Sequence, residues 1–276
     1  MNKYWINANE VSVEMFRGAS EEILHETGVS GFFETMLWIN NKIPLLNYHA
    51  NRLKHSAKIQ NIKSNIAALF RSDISLMPDF EHGLAKYQVF HSMSSNRVDR
   101  FLSVENPRSY PASNWTIGIA TFLPEESLVL DAMSGGIKST ERSAYEQLQS
   151  KYLSDQYAEI LVKDDNDFVV EGTKTNIFLI KANQIITPDL QGGGVAGVMR
   201  AYLIQQMKSC GITVQIEPVT IDTMNSCDTM FLSNALIGLW PVHTLVDAGQ
   251  NSHSKNTKHP LIAKIRTLLP REFKHG

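Results

Sequence analysis

The chain has 276 residues, 43% hydrophobic and 20% charged, the proportions of a soluble globular protein; a chain of this length buries roughly 75% of its unfolded surface. A formal net charge of −2 offers nucleic acid no basic face, and the longest apolar run, Met230 to Val242, is too short and too polar to cross a bilayer. The N-terminus lacks the apolar segment of a signal peptide, and Cys210 and Cys227 have no metal-type spacing, so reduced thiols in a cytoplasm are expected, with one bridge as the alternative.

In chain order, Tyr4–Asn7 reads as a strand. Phe32–Asn40 and Ile43–Leu46 flank Asn40-Asn41-Lys42 as the arms of a hairpin would. His49–Gln60 places Leu53 and Ala57 at helical spacing among basic residues. Lys86–Phe90 and Arg100–Val104 are further predicted strands. The segment Glu105–Trp115, with two prolines, is the candidate linker. Beyond it come a strand, Thr116–Phe122, and a helix, Ser143–Gln156. Four short runs (Glu159–Lys163, Phe168–Glu171, Asn176–Ile180 and Gln184–Thr187) suggest an antiparallel meander. A glycine run, Gly192-Gly193-Gly194, leads into a predicted helix Val198–Ser209, followed by two strand-like runs and a helix from about Leu261. The expectation is an α+β protein of two domains, residues 1–110 and 111–276, the second built on a curved sheet.

Three local features can carry chemistry. Glycines before a helix let a ligand approach first-turn amides that have no internal partner, a seat for phosphate, although the run from Gly192 to Arg200 also reads as a flexible turn. Glu171, after Phe168-Val169-Val170, is either a partly desolvated carboxylate or a solvated hairpin residue. Lys138, in Gly135-Gly136-Ile137-Lys138-Ser139, is either a site amine or one surface lysine among many. An amine, a carboxylate and a phosphate seat are together what pyridoxal 5'-phosphate requires.

At these residues the sequence resembles the class IV aminotransferases, the fold-type IV pyridoxal-phosphate enzymes. Gly31-Phe32-Phe33-Glu34-Thr35 is similar to the family's G-x-F-E-T strand, and His49-Ala50-Asn51-Arg52-Leu53 to its H-x-x-R-L helix. Ile137-Lys138-Ser139 resembles the lysine segment, and Glu171-Gly172 with Asn176-Ile177-Phe178 the E-G-x-x-x-N-x-F signature. Lysine and glutamate stand 171 − 138 = 33 residues apart, and Gly197-Val198-Met199-Arg200 is similar to the phosphate helix. The resemblance implies a small α/β N-terminal domain and a larger pseudo-barrel domain. It implies a homodimer and a small amino substrate. It makes Lys138 the catalytic and cofactor-bearing lysine, and Arg52, Glu171, Val198, Met199 and Asn234 the other cofactor residues. Phe33 and Arg97 are its substrate-side residues. His49 and His243 lack metal spacing and receive no ligand role.

Within the family, Met199 and Ser233-Asn234-Ala235-Leu236 resemble the 4-amino-4-deoxychorismate lyases. A D-amino-acid or branched-chain aminotransferase is the alternative, and a non-catalytic member of the family is a second. The sequence departs from the pattern at Ser30, Glu141, Lys174 and the segment His91–Asp99, where Arg97 alone survives as a carboxylate clamp.

Overall fold

The computed structural model describes residues 2–79, 81–130 and 135–274. They fall into two compact units: Met1–Ser109 with Ile137–Glu141, and Tyr110–Gly136 with Arg142–Gly276.

The first unit contains β1 (Lys3–Ile6), β2 (Asn9–Val11), α1 (Val13–His25), β3 (Val29–Ile39), α2 (Leu46–Ile59), α3 (Ile66–Ser75), β4 (His82–Ser92) and β5 (Arg97–Glu105). The strands form an antiparallel sheet in the order β2-β1-β5-β4-β3. Period-two alternation sends Phe32, Met36 and Trp38 of β3, with Tyr87 and Val89 of β4, into one core with Leu53 and Ala57 of α2 and Phe70 of α3. On the other face Phe90 and Phe101 pack on Phe16 and Ile23 of α1. α1 and α3 go beyond the predicted elements; the Ser12 side chain caps α1 by accepting from the Met15 amide.

The predicted hairpin is cut short. Asn40 and Asn41, at φ 49° and 61°, close a single Ile39–Lys42 bridge. Ile43–Leu46 does not continue as a strand, because Pro44 has no amide to donate and Leu45, at φ 61°, turns the chain into α2.

The second unit opens with a one-turn helix, α4 (Ser113–Thr116), which takes the end of the predicted linker and the first residue of the predicted strand Thr116–Phe122, followed by β6 (Ile119–Leu123) and β7 (Ser127–Leu128). Next come α5 (Ser143–Tyr152), β8 (Glu159–Asp164), β9 (Val169–Gly172), β10 (Asn176–Lys181) and β11 (Gln184–Pro188). Then follow α6 (Val198–Ser209), β12 (Val214–Glu217), α7 (Ile221–Ser226), β13 (Thr229–Asn234), β14 (Gly238–Asp247), β15 (Ser252–Ser254) and α8 (Pro260–Leu268). A mixed sheet runs β12-β11-β10-β13-β14-β6-β8-β7, with β15 on β14 and β9 on β8, and curls into a half-barrel. Its core joins Leu161, Ile177, Leu179, Met230, Leu232 and Val242. The expected meander breaks in the middle. β9 pairs with β8 and β10 with β11, but β10 takes β13 as its other neighbour, so residues 172–175 carry the chain from one hairpin to the next. The apolar run 230–242 becomes the β13–β14 hairpin. No helix among the described residues is long and apolar enough to cross a membrane. Cys210 is exposed and Cys227 buried, both as free thiols.

Candidate active site

In the first unit, β3 is an edge strand, and the Lys138 segment occupies its free side. The Phe33 amide donates to the Lys138 carbonyl at 2.9 Å, the Thr140 amide to the Gly31 carbonyl at 2.9 Å, and Phe32 bridges Ser139. Gly31 is required for this approach, since a Cβ there would sit 2.6 Å from Thr140 Oγ1. The Lys138 backbone is therefore held by a sheet even though only five residues of this stretch belong to the unit.

The Lys138 Nζ lies 4.8 Å from the Phe33 ring centroid, and the Lys86 Nζ 5.1 Å from it. Lys86 faces Thr35 across the β3–β4 ladder, while Phe33 faces Gln88, so these side chains share one sheet face. An aromatic face attracts cations by about 0.5–1 kcal/mol at exposed sites. Nothing in the sequence pattern pointed to Lys86; the ladder register does.

Glu34, on the opposite face of β3, is buried against α2. Its Oε1 accepts from Arg52 Nε at 2.6 Å and its Oε2 from Arg52 Nη2 at 2.5 Å, while His49 Nδ1 lies 2.6 Å from Oε2. Burial alone would raise the Glu34 carboxyl, but Arg52 and His49 outweigh it and hold the group at about 2. Burial lowers the His49 pKa, and the Arg52 and Lys138 charges add to this against the pull of Glu34. His49 Nε2 is buried with no hydrogen-bond partner among the described residues. Arg52, expected at the cofactor phosphate, thus commits two of its nitrogens to Glu34.

Arg97 stands elsewhere in the unit. It donates to Glu26 and to Asp99 at 2.6 Å each, and its side chain is 47% exposed. These hydrogen bonds raise its pKa further. It pairs through Ser92 with Val29, four register positions from Phe33 along β3, or about 13 Å at the strand rise. The structure does not bring Arg97 and Phe33 together.

In the second unit the site is built around Glu171, at the end of β9 and 2% exposed. The Tyr145 hydroxyl, on α5, donates to its Oε1 at 2.8 Å, and the Val195 amide donates to its Oε2 at 3.0 Å. Burial and the Glu171 charge push the Tyr145 phenol far up, so it remains a donor. Two residues beyond Val195, Gly197 opens α6 without a side-chain cap, and the first turn has no acidic residue. The amides there stay available for an anion. Val198 and Met199 are buried side chains, so their contribution to any ligand is through the backbone. A Cβ on Gly197 would fall 1.7 Å from Asn176 Oδ1, and Asn176 Nδ2 donates to the Val195 carbonyl at 2.9 Å. Asn176 thus ties the incoming loop to β10, and Arg200 ties α6 to β11 through Thr187 Oγ1 and the Pro188 carbonyl.

The 172–175 turn is gripped by Glu159, which sequence reading passed over. Its carboxylate accepts from Thr173 Oγ1 at 2.5 Å, Lys174 N at 3.1 Å and Thr175 Oγ1 at 3.1 Å. Burial raises its pKa against those donors. A carboxylate opening an otherwise apolar strand, Glu159-Ile160-Leu161-Val162, was the available signal. Asn234 joins from the β13–β14 turn. Its Oδ1 accepts from the Leu236 and Ile237 amides, and its Nδ2 donates to the Lys174 carbonyl at 3.1 Å. Its amide group therefore shapes the two turns. No group of three or more metal-ligating side chains occurs among the described residues.

The chain matches the family model of amino-transferase class IV over residues 31–245. A solved 4-amino-4-deoxychorismate lyase from Pseudomonas aeruginosa superposes with a TM-score of 0.85 at 26% identity, covering 98% of this chain and 99% of that one. The branched-chain amino acid aminotransferase of Escherichia coli superposes with a TM-score of 0.76 at 17% identity, covering 96% and 92%, a likeness of fold. An aminodeoxychorismate lyase from Vibrio harveyi is 27% identical over 125 residues, 45% of this chain and 46% of that protein, so the chain aligns with less than half of that curated relative's length.

Proposed function

Because the chain belongs to the class IV aminotransferase family, we propose that it is a pyridoxal-phosphate lyase that splits 4-amino-4-deoxychorismate into 4-aminobenzoate and pyruvate. One observation carries the cofactor assignment: a buried carboxylate, Glu171, held on both oxygens, beside the uncapped, glycine-bounded start of α6. That donor set suits a molecule with a basic ring nitrogen at one end and a phosphate at the other. The family supplies the third requirement, an amine, as Lys138. Bound there, pyridoxal phosphate would supply an electron-poor ring that takes up the charge left when the substrate α-carbon loses its proton.

Each residue then has a defined task. Lys138 would hold the cofactor's aldehyde through its amine and, once that amine is free, would serve as the general base for the substrate α-proton. Glu171 would hold the proton on the ring nitrogen. By the family resemblance, the Val198 and Met199 amides would receive the phosphate, and Arg52, oriented by Glu34, is the cation that the resemblance assigns to it. Phe33 flanks the substrate, and Lys86, on the same sheet face, joins Arg97 as a candidate for the substrate carboxylate. Asn234 acts by fixing the turn beneath Lys174. The family also supports a homodimer as the working form.

The lyase is favoured by Met199, by Ser233-Asn234-Ala235-Leu236 and by the likeness to the Pseudomonas aeruginosa enzyme over nearly the whole of both chains. A 32% identity over 117 residues to a putative branched-chain-amino-acid aminotransferase of Methanocaldococcus jannaschii, 42% of this chain and 40% of that one, supports a second reading, transamination by the same residues. One assay separates them. Purified protein loaded with pyridoxal phosphate is given aminodeoxychorismate with and without 2-oxoglutarate. The lyase forms 4-aminobenzoate at the same rate in both. Strict dependence on the keto acid, with leucine, glutamate or D-alanine as amine donor and no aromatic product, would replace it with the transaminase.

A further inference from the structure

The geometry points to Tyr145 as a positioning residue that keeps the Glu171 carboxylate oriented and weakly basic, so that a proton shared with the cofactor's ring nitrogen stays on the ring. This rests on the pyridoxal-phosphate reading above and deepens it.

The contact is specific. Tyr145 lies seven residues after Lys138, in the first turn of α5, and its hydroxyl reaches Glu171 Oε1 at 2.8 Å. Oε2 is satisfied separately by the Val195 amide at 3.0 Å, so the two donors fix the carboxylate plane from opposite ends. The phenol is itself held. The Arg142 guanidinium stacks 4.1 Å from its ring centroid, and Arg142 Nη2 donates to the Thr173 carbonyl at 2.7 Å. Thr173 closes the circuit, because it stands two residues after Glu171 in the turn that Glu159 grips. The path Glu171–Tyr145–Arg142–Thr173 is a closed loop, and a rotation of the carboxylate would break its bonds to Tyr145 and to the Val195 amide together.

The chemical consequence has a definite sign. A hydrogen bond donated to a carboxylate stabilises its anion and lowers its proton affinity. Without that donor a buried carboxylate is a stronger base, and it draws the shared proton away from a pyridine nitrogen. The ring then loses its positive charge and takes up less of the charge that builds on the substrate α-carbon. Tyr145 therefore acts on the reaction through Glu171, with no need to touch substrate.

The competing explanation is packing, since the Tyr145 ring also lies against the cluster of Phe122, Leu148 and Ile160. Tyr145→Phe keeps the ring, its packing and its stacking on Arg142, and removes one hydroxyl. The experiment loads wild type, Tyr145→Phe, Glu171→Gln and the double variant with pyridoxal phosphate labelled with nitrogen-15. It records the ring-nitrogen resonance, then the mass of the borohydride-reduced adduct, then kcat and KM. Wild type should show a protonated ring nitrogen and an adduct on Lys138; if it shows neither, the pyridoxal-phosphate reading itself fails. Given both, Tyr145→Phe should move the resonance toward unprotonated pyridine and lower kcat roughly tenfold, the scale of a hydrogen bond to a charged group, with KM little changed. In the Glu171→Gln background the same substitution should add less than about twofold. A Tyr145→Phe protein with wild-type resonance and kcat overturns the inference. So does a loss of the same size in the Glu171→Gln background, which would show that the Tyr145 hydroxyl acts independently of the Glu171 carboxylate.

Discussion

At Phe33, one aromatic ring has lysines on two sides, Lys138 at 4.8 Å and Lys86 at 5.1 Å. Two ammonium groups near one ring mark this sheet face as a place where an anionic substrate group can be received. Arg97, the cation that the family resemblance nominates, is instead closed off by Glu26 and Asp99. Lys86→Met should therefore raise KM for the substrate on the order of tenfold, the size of one lost charge-assisted contact, and by more than Arg97→Met does. Steady-state kinetics on the two variants check this, and the reverse order would return the substrate carboxylate to Arg97. These roles differ in how far the sequence discloses them. Lys138 and Glu171 were legible because family motifs surround them. Lys86 and Tyr145 were not, because the partners that give them meaning lie 53 and 26 residues away in sequence (86 − 33 and 171 − 145).

The pairing of β3 with α2 depends on Glu34, a charged residue at the strand's inward-facing positions among Phe32, Met36 and Trp38. With its carboxyl held at about 2 by Arg52 and His49 against burial, it stabilises the fold at every pH above the ordinary carboxylate value of 4.5. That contribution is lost as pH falls from there toward 2. Glu34→Gln should cost about 3 kcal/mol at neutral pH, because the buried Arg52 guanidinium loses the carboxylate that takes its Nε and Nη2, and should flatten the acid limb of the stability curve. Urea unfolding at pH 7 and pH 4 measures both; an unchanged acid limb would mean that other groups set it. The elements themselves show where sequence patterns suffice. α6 was predicted with the bounds that it has, because a glycine run fixes where it starts. β4 and β5 were found from short central stretches, Lys86–Phe90 and Arg100–Val104, and each is longer than predicted. α1 was missed, since only Phe16 and Ile23 of its thirteen residues are buried and Met15 and Leu24 point outward. The strand character of residues 137–141 has no pattern of its own; the vacant edge of β3 imposes it.

For the molecule as a whole, the family supports a dimer, and light scattering should give about twice the 31.0 kDa chain mass at micromolar concentrations. A mass near that of one chain across the range would remove the dimer from the reading. The division into two units carries a further consequence. Residues 137–141 return to the first unit from within the sequence of the second, so no single cut in the chain separates the two. A fragment ending at residue 109 would carry β3 with its outer amides and carbonyls bare, a template for adhesion to other strands. The bridge between Phe32 and Ser139 spans 139 − 32 = 107 residues, and so long a closure is entropically slow to form. Lys138 thus reaches its fixed setting only after residues 137–141 have emerged and found the edge of β3, so a chain stopped anywhere before them holds that edge open and carries no ordered lysine at it.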